Sequence, residues 1–461
     1  MEPTERLLSG RRGGFALIVS MIFVLLFTAL ALSVATFSSA SVVVADNHRQ
    51  ADRARAVAES GLEIVRLWLS KISISGNTPP AERFPQIAAL LLDYLAANHT
   101  NVTAYYDTDT VYIQPVQLDA DNEQRFAAQI RQSGAETIDV VVTGQYRQFS
   151  KQIAVKYIFG TRADTVFDFG VATKGPLSLA GNIELEGVKV SVDASVYIES
   201  ESSSLALSIT GNSQIAGDVS IVNPIATVEL VGGKAGIGGE TGDAAIENHV
   251  EFGVPPSEFP EPSPGLFEGY ATNIVDCNTY TSSDATFENI RILAGTNPVF
   301  SGHTTLKGVV FIESPNVVTF AGGADVTAVI VGDGDLSDDS GTNRIIFEGN
   351  VSSRPVSELP DEPQFEGIRE ATGTFIVAPG FALSFGGSFD TISGAIAGNG
   401  VEFYGRAGGT INGSVINYSE EEMTLTGNSD LYFNRSGLTE APAGFVPEII
   451  LKYDPASYTE S

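Results

Sequence analysis

Residues able to hold a metal, move a proton or attack a bond are few and scattered in this sequence of 461 residues. The densest acidic run is Asp333-Gly334-Asp335-Leu336-Ser337-Asp338-Asp339. Carboxylates at Asp333, Asp335, Asp338 and Asp339 resemble half of a Ca²⁺ loop, but the bidentate Glu that closes such a loop is missing at the required spacing. The run reads first as a solvated loop, and Ca²⁺ is the one cofactor it suggests. Four histidines stand without tight ligand spacing, which argues against zinc. His303 reads as a surface residue. The single cysteine, Cys277, excludes an intrachain disulfide and any multi-cysteine site, and it reads as structural. Paired carboxylates with a basic residue, as glycan-cleaving sites require, are not grouped in the sequence, so no catalytic residue is assigned and no enzyme is expected.

The composition narrows the partners. The formal charge is −30; residues 1–72 hold eight Lys/Arg against six Asp/Glu, which leaves −32 on the rest. Phosphates would be repelled by that bulk, so nucleic acid is not an expected partner. The chain is not disordered in composition, because 43% of residues are apolar and only 18% charged. Forty-seven Gly and 21 Pro predict many turns. The length calls for more than one structural unit.

The elements that must carry any function begin with an uncharged run from Phe15 to Ala45. As helix it spans about 46 Å, longer than a hydrocarbon core of about 30 Å and too long for an ordinary secretory signal. Arg6, Arg11 and Arg12 precede it, which predicts a cytoplasmic N-terminus with the bulk exported. The run continues as an amphipathic pattern, with Ala51, Ala54, Ala58, Leu62, Val65 and Leu69 three and four residues apart. Asp52–Arg55, Arg55–Glu59 and Glu63–Arg66 are spaced to pair along its outer face. One helix of about 55 residues, half in the membrane and half outside, is expected, with Trp68 packing on the exported part.

Arg11-Arg12-Gly13-Gly14-Phe15 resembles the type III signal of prepilins. The stretch from Ala45-Asp46-Asn47 to Ala58-Glu59-Ser60-Gly61-Leu62-Glu63 resembles the PilX-type minor pilin N-terminal region, over about residues 11–70. The resemblance implies a basic leader including Arg11 and Arg12, a prepilin peptidase cut between Gly14 and Phe15, and other pilin subunits and pilus assembly machinery as partners. It further implies a single pass through the inner membrane. Major pilins usually carry Glu at the fifth mature position, where it is thought to neutralise a neighbour's amino terminus. Here that position is Val19, which points to a tip or initiation role rather than the main shaft.

Residues 73–165 read as a small α+β section. Helices are expected over 86–98 and, more weakly, over 125–132. Strands are expected over 104–116 and 136–159, with a hairpin turn at Thr143–Arg147. Beyond 165 the chain repeats: LSLAGNIELEG (177–187), LSITGNSQIAG (207–217), PVFSGHTTLKG (298–308), VTFAGGADVTA (318–328), LSFGGSFDTIS (383–393) and MTLTGNSDLYF (423–433) share an apolar third position and Gly at the fifth. Strand, Gly turn, strand is the unit of a stacked solenoid. Asn182, Asn212 and Asn428 follow the motif Gly and are expected to cap turns or form amide ladders. Two acidic, Pro-rich stretches, 254–270 and 355–372, repeat Ser-Glu-Phe/Leu-Pro and read as loops leaving the solenoid and covering its side.

The expected protein is mainly β: a leader (1–14), a transmembrane then amphipathic helix (15–72), the α+β section (73–165), a right-handed parallel β-helix-like solenoid (166–440) and a C-terminal tail (441–461). Tyr453–Tyr458 in that tail resembles the closing segment of some PilX-like proteins. The reading is a minor-pilin-like subunit of a type IV pilus or related secretion filament. An envelope adhesin that stays out of filaments is the alternative, and a surface polysaccharide-processing enzyme the third. The leader makes the first test: mass spectrometry of the native N-terminus should find Phe15 first. Replacing Gly14 by a bulky residue should leave the leader attached, and an intact Met1 on the wild-type protein would remove the prepilin reading.

Overall fold

The computed structural model describes residues 13–120, 123–200, 204–337, 341–436 and 440–461. These form two units. One contains the described residues up to Ile74, Thr78–Gly160 and Ile450–Ser461; the other contains Ser75–Asn77 and Thr161–Ile449. The protein is a long N-terminal helix followed by a mainly β region rich in parallel sheet.

The first unit is built on α1 (Gly13–Leu69), a continuous helix of 57 residues. Its other elements are β1 (Ser73–Ser75), α2 (Pro80–Asn98), β2 (Ala104–Asp107), β3 (Thr110–Asp119), β4 (Gln124–Gln132), β5 (Thr137–Tyr146) and β6 (Phe149–Arg162). In the seven-stranded sheet, β6 to β2 lie in reverse chain order, and the C-terminal strand Glu448–Glu460 sits between β1 and β6. The amphipathic half of α1 packs here as its period demands: Ala54, Ala58, Leu62, Val65 and Leu69 are buried. Small residues set the approach, since a Cβ on Gly144 would stand 2.2 Å from the backbone nitrogen of Ala58. Trp68 is buried against the rings of Phe126 and His99. Of the expected outer-face pairs, Arg55–Glu59 closes at 3.0 Å and Arg66–Glu63 at 3.6 Å, and Arg55 also reaches Glu460 at 3.2 Å.

Three local expectations are corrected. Residues 125–132 are strand rather than helix, because Phe126, Ala128 and Ile130 alternate inward at period two. The hairpin turns at Arg147–Gln148, with Tyr146 paired to Phe149; Gly144 stays in the strand because α1 needs the close approach. Residues 448–460 are not a tail but a strand within the sheet.

The second unit stacks three mainly parallel sheets. Sheet 1 runs, in spatial order, Val250–Phe252, Val219–Ile221, Val196–Ile198, Val171–Thr173, Val415–Asn417, Ala395–Gly398, Thr374–Ala378, Ala324–Gly332, Thr304–Ile312, Ala285–Ile292 and Asn273–Val275. The chain therefore enters mid-stack at Val171, winds to one end at Phe252, crosses to the opposite end at Asn273, and winds back until Val415 pairs with Val171. Sheet 2 follows the same order from Thr227–Val231 through Leu177–Gly181 and Met423–Gly427 to Val299–Phe300. Sheet 3 is shorter and contains Gln214–Ile215, Glu184–Gly187 and Leu431–Phe433.

Register makes the interior columns. Phe300, Phe320, Phe347, Phe385 and Phe403 are successive partners in sheet 2, stacked at 5.0, 4.9, 5.1 and 5.0 Å between ring centroids. The column continues through Leu425, Leu179, Ile209 and Leu230. Two residues after each stands a Gly. The expected side-chain ladder at Asn182, Asn212 and Asn428 is absent: these residues donate their backbone N–H to Gly427, Gly181 and Gly405, and their side chains are exposed. Side-chain amides instead bridge rungs at Asn297, Asn316 and Asn343, where each carbonyl oxygen receives a backbone N–H from a neighbouring rung.

The 253–272 crossing must pass ten strand spacings of sheet 1, about 48 Å at 4.8 Å each. Twenty residues reach about 66 Å when extended, so the segment has little slack and its prolines suit it. It lies on the outer, apolar face of sheet 1, where Phe267 and Ala271 are buried with Phe311, Val331 and Ile416. The second Pro-rich stretch covers the same face through Val356, Leu359, Phe365 and Ile368.

The Gly column generates a stability test. Gly211 has φ +79°, and a Cβ there would stand 2.4 Å from the carbonyl oxygen of Gly181. Gly211→Val should cost about 2–4 kcal/mol in denaturant unfolding. Gly233→Ala should change stability little, since nothing lies within 4 Å of its would-be Cβ. Equal effects at both sites would contradict the corner geometry.

Candidate functional site

The first candidate is the uncovered apolar surface of α1 before it meets the sheet. Among the described residues α1 is the one helix long and apolar enough to cross a membrane, and its most apolar window has no residue buried within the protein. Phe15, Leu17, Ile18, Met21, Phe23, Leu26 and Phe27 are each more than half exposed. Such a surface needs lipid or other helices around it. Five of its hydroxyls, those of Ser20, Thr28, Thr36, Ser39 and Ser41, are closed within the helix: Thr28 Oγ1 donates to the Val24 carbonyl at 2.6 Å and Ser41 Oγ to that of Phe37 at 2.9 Å.

Gly14 and Phe15 lie inside α1, which begins at Gly13; Arg11 and Arg12 are outside the described residues. Val19, about one turn further along, is half-buried amid exposed neighbours and contributes no charge.

Of the four candidate Ca²⁺ residues, Asp333 and Asp335 are described. Asp333 Oδ1 accepts the backbone N–H of Ser314, nineteen residues earlier, at 2.6 Å, and Asp335 Oδ1 accepts that of Ser337 at 2.6 Å, so the first ties two rungs together and the second serves its local turn. Burial pushes the Asp333 carboxyl up, whereas the Ser337 hydroxyl and N–H hold that of Asp335 down. Asp338 and Asp339 lie outside the described residues. Among the described residues, no group of three or more His, Cys, Asp or Glu is arranged to hold a metal.

His303 is at the surface and its Nε2 lies 2.9 Å from Asp325. Cys277 is exposed, which corrects its reading as a structural residue: Asp276 beside it organises the turn through Asn278 and Thr279, and no packing role remains for the thiol. Two features went unread in the sequence. His249 Nδ1 lies 2.8 Å from Asp218 Oδ1 beside a cavity of about 460 Å³. The pair comes from neighbouring rungs 31 residues apart, a separation no local spacing signals. A cavity of about 610 Å³ opens in the second Pro-rich stretch between Asp361, Glu366 and Arg369, with Arg369 ion-paired to Asp361.

Comparison with known proteins bears on the N-terminal helix. Residues 13–63 match the family model described as PilX N-terminal. A solved structure, the competence-associated pilin ComZ from Thermus thermophilus, aligns over 89% of this chain and 98% of its own at 11% identity, with a TM-score of 0.28. No curated protein matches the chain.

Asp164 yields a pH test. It is 6% exposed, its Oδ2 has no hydrogen-bond partner among the described residues, and Glu448 and Glu258 lie near it. Burial first and Glu448 second push its carboxyl up to about 7. An acid whose folded pKa is raised adds stability below its unfolded pKa, and loses it as pH rises through the folded value. Wild type should therefore lose stability between pH 4 and 7 relative to Asp164→Asn, by on the order of a few kcal/mol in thermal or denaturant unfolding. Parallel profiles for the two proteins would show that Asp164 ionises normally.

Proposed function

Because its N-terminal segment is of the PilX type, we propose that this chain is a minor-pilin-like subunit of a type IV pilus or related secretion filament. The observation that carries the reading is α1 itself: one unbroken helix whose first half is uncovered and apolar while its second half is bound into a sheet. That form suits a subunit held by lipid before assembly and by other helices after it. In this reading a prepilin peptidase removes the leader at Gly14–Phe15, the helix crosses the inner membrane once, and the rest of the chain is exported. Arg11 and Arg12 support that orientation. The part displayed is a β-solenoid whose coils are right-handed, since parallel strand–crossover–strand connections in one sheet almost always take that hand. Its role is structural rather than catalytic, with assembly through α1 and surface display or adhesion by the solenoid. Asp333 and Asp335 each already accept a backbone N–H, one from a neighbouring rung and one from its own turn, which supports a chain that folds without Ca²⁺.

Val19 favours a tip or initiation position. A Glu there costs roughly 2.5–3.5 kcal/mol at a membrane centre and less near its edge, offset only by a partner's amine. The measurement is the quantity of this protein in sheared filaments relative to a major subunit. Wild type should be sparse, and Val19→Glu should not raise it. Near-stoichiometric wild type along the shaft would overturn the minor assignment. Complete absence from filaments, with an intact leader, would favour the envelope adhesin.

A further inference from the structure

The outer face of sheet 2 carries a feature that neither assembly nor folding uses. Glu402 lies in the strand Val401–Phe403, and Tyr404 follows directly after it, its backbone N–H still donating to the Phe385 carbonyl of the neighbouring rung. Tyr404 does not stand away from the sheet. A Cβ on Gly386, the neighbouring rung's residue, would lie 2.5 Å from its ring Cζ, so the phenol lies along the sheet in the notch that this glycine leaves. Tyr404 as a whole residue remains 36% exposed.

Beside it a polar network is already assembled. Ser384 Oγ donates to Glu402 Oε1 at 2.5 Å and accepts from Arg344 Nη2 at 3.1 Å. Arg344 also reaches Glu402 at 3.4 Å. Ser384 is only 2% exposed and holds the other two in place, while the Arg344 and Glu402 side chains keep 43% and 40% of their surface open. Together with Glu422 and Thr424 they line a shallow cavity of about 260 Å³. The row continues from Glu402 through Thr424, Ser178 and Ser208, successive register partners that extend a line of hydroxyls along the stack.

We propose that this face is a saccharide-binding site, taking neutral or amine-bearing sugars. A pyranose offers a C–H face to an aromatic ring and, at its edge, neighbouring hydroxyls that match a planar carboxylate or guanidinium. Tyr404, with Arg344 and Glu402, presents that combination on a rigid sheet, so little ordering is required on binding. The sign of charge selects among sugars. Glu348, Glu402 and Glu422 outnumber Arg344, and burial followed by Glu348 and Glu402 pushes the Tyr404 hydroxyl up. Acidic sugars are repelled by such a site, and an ammonium group is attracted. The proposal is independent of whether the chain enters a filament.

The test is calorimetric titration of the full-length protein in detergent micelles with hexamers of glucose, N-acetylglucosamine, glucosamine and galacturonate. At least one of the first three should bind, and galacturonate should not. Tyr404→Ala should weaken the binding about three- to tenfold, the value of one aromatic contact. Glu402→Gln preserves shape and should weaken glucosamine more than the neutral hexamers. Circular dichroism checks that each variant is folded; if Tyr404→Ala is not, Glu402→Gln decides alone. Failure of all three non-acidic hexamers to bind at millimolar concentration overturns the proposal. So does galacturonate binding as tightly as they do, or affinity unchanged in the folded variants.

Discussion

The second unit depends on the close approach of glycines where each rung leaves sheet 2. A Cβ on Gly322, Gly349 or Gly387 would lie 2.0–2.2 Å from the carbonyl oxygen of the preceding glycine in the column. At Gly427, Gly181, Gly211 and Gly232 the gap would be 2.3–2.5 Å. No side chain fits, so the backbone itself forms the corner and successive rungs can stand at strand spacing. Once that spacing is set, the residue two before each glycine has one place to go. Phe300 to Phe403, then Leu425, Leu179, Ile209 and Leu230, stack into a single interior column. Outward positions are left free to be polar, which is where Ser384 and Glu402 arise.

The order of the rungs follows from a second constraint. The main segment of the second unit, Thr161–Ile449, runs in the chain from the end of β6 to the start of the C-terminal strand, and these two strands are neighbours in one sheet. Its ends must therefore come close together, as insertion of one unit into another requires. A simple solenoid would separate its ends by its whole length. Entering mid-stack and returning to pair Val415 with Val171 removes that separation, and Arg162 and Glu448 at the two ends are 2.7 Å apart. The consequence is one long external crossing, which needs an extended segment and an apolar face to hold it. The prolines of 254–270 supply the first, and sheet 1 supplies the second.

In α1 one helix serves two solvents. Large apolar side chains such as Phe15, Leu17, Phe23 and Phe27 stand exposed where nothing in the protein covers it, while Ala54, Ala58 and Gly61 appear where Gly144 and Phe126 press against it. Where the sheet packs on the helix, these small residues allow the close approach and Leu62, Val65, Trp68 and Leu69 fill the space beside them.

How much of this was legible depended on whether the determining contact was local. The long helix, its amphipathic half and the repeat were open to reading because each is a period along the chain: three to four residues in α1, and an apolar residue with Gly two later in each rung. The resemblance of residues 11–70 to PilX N-termini was legible for the same reason. Residues 125–132 were misread because eight residues carry too little period to separate helix from strand without the neighbours that β3 and β5 provide. The C-terminal strand was read as a tail because its pairing partner β6 is some 300 residues away. Nothing in the sequence placed Tyr404 over Gly386, Ser384 between Arg344 and Glu402, or the last rung beside the first. Those contacts join residues brought together by stacking, and stacking order is decided by where the chain must enter and leave.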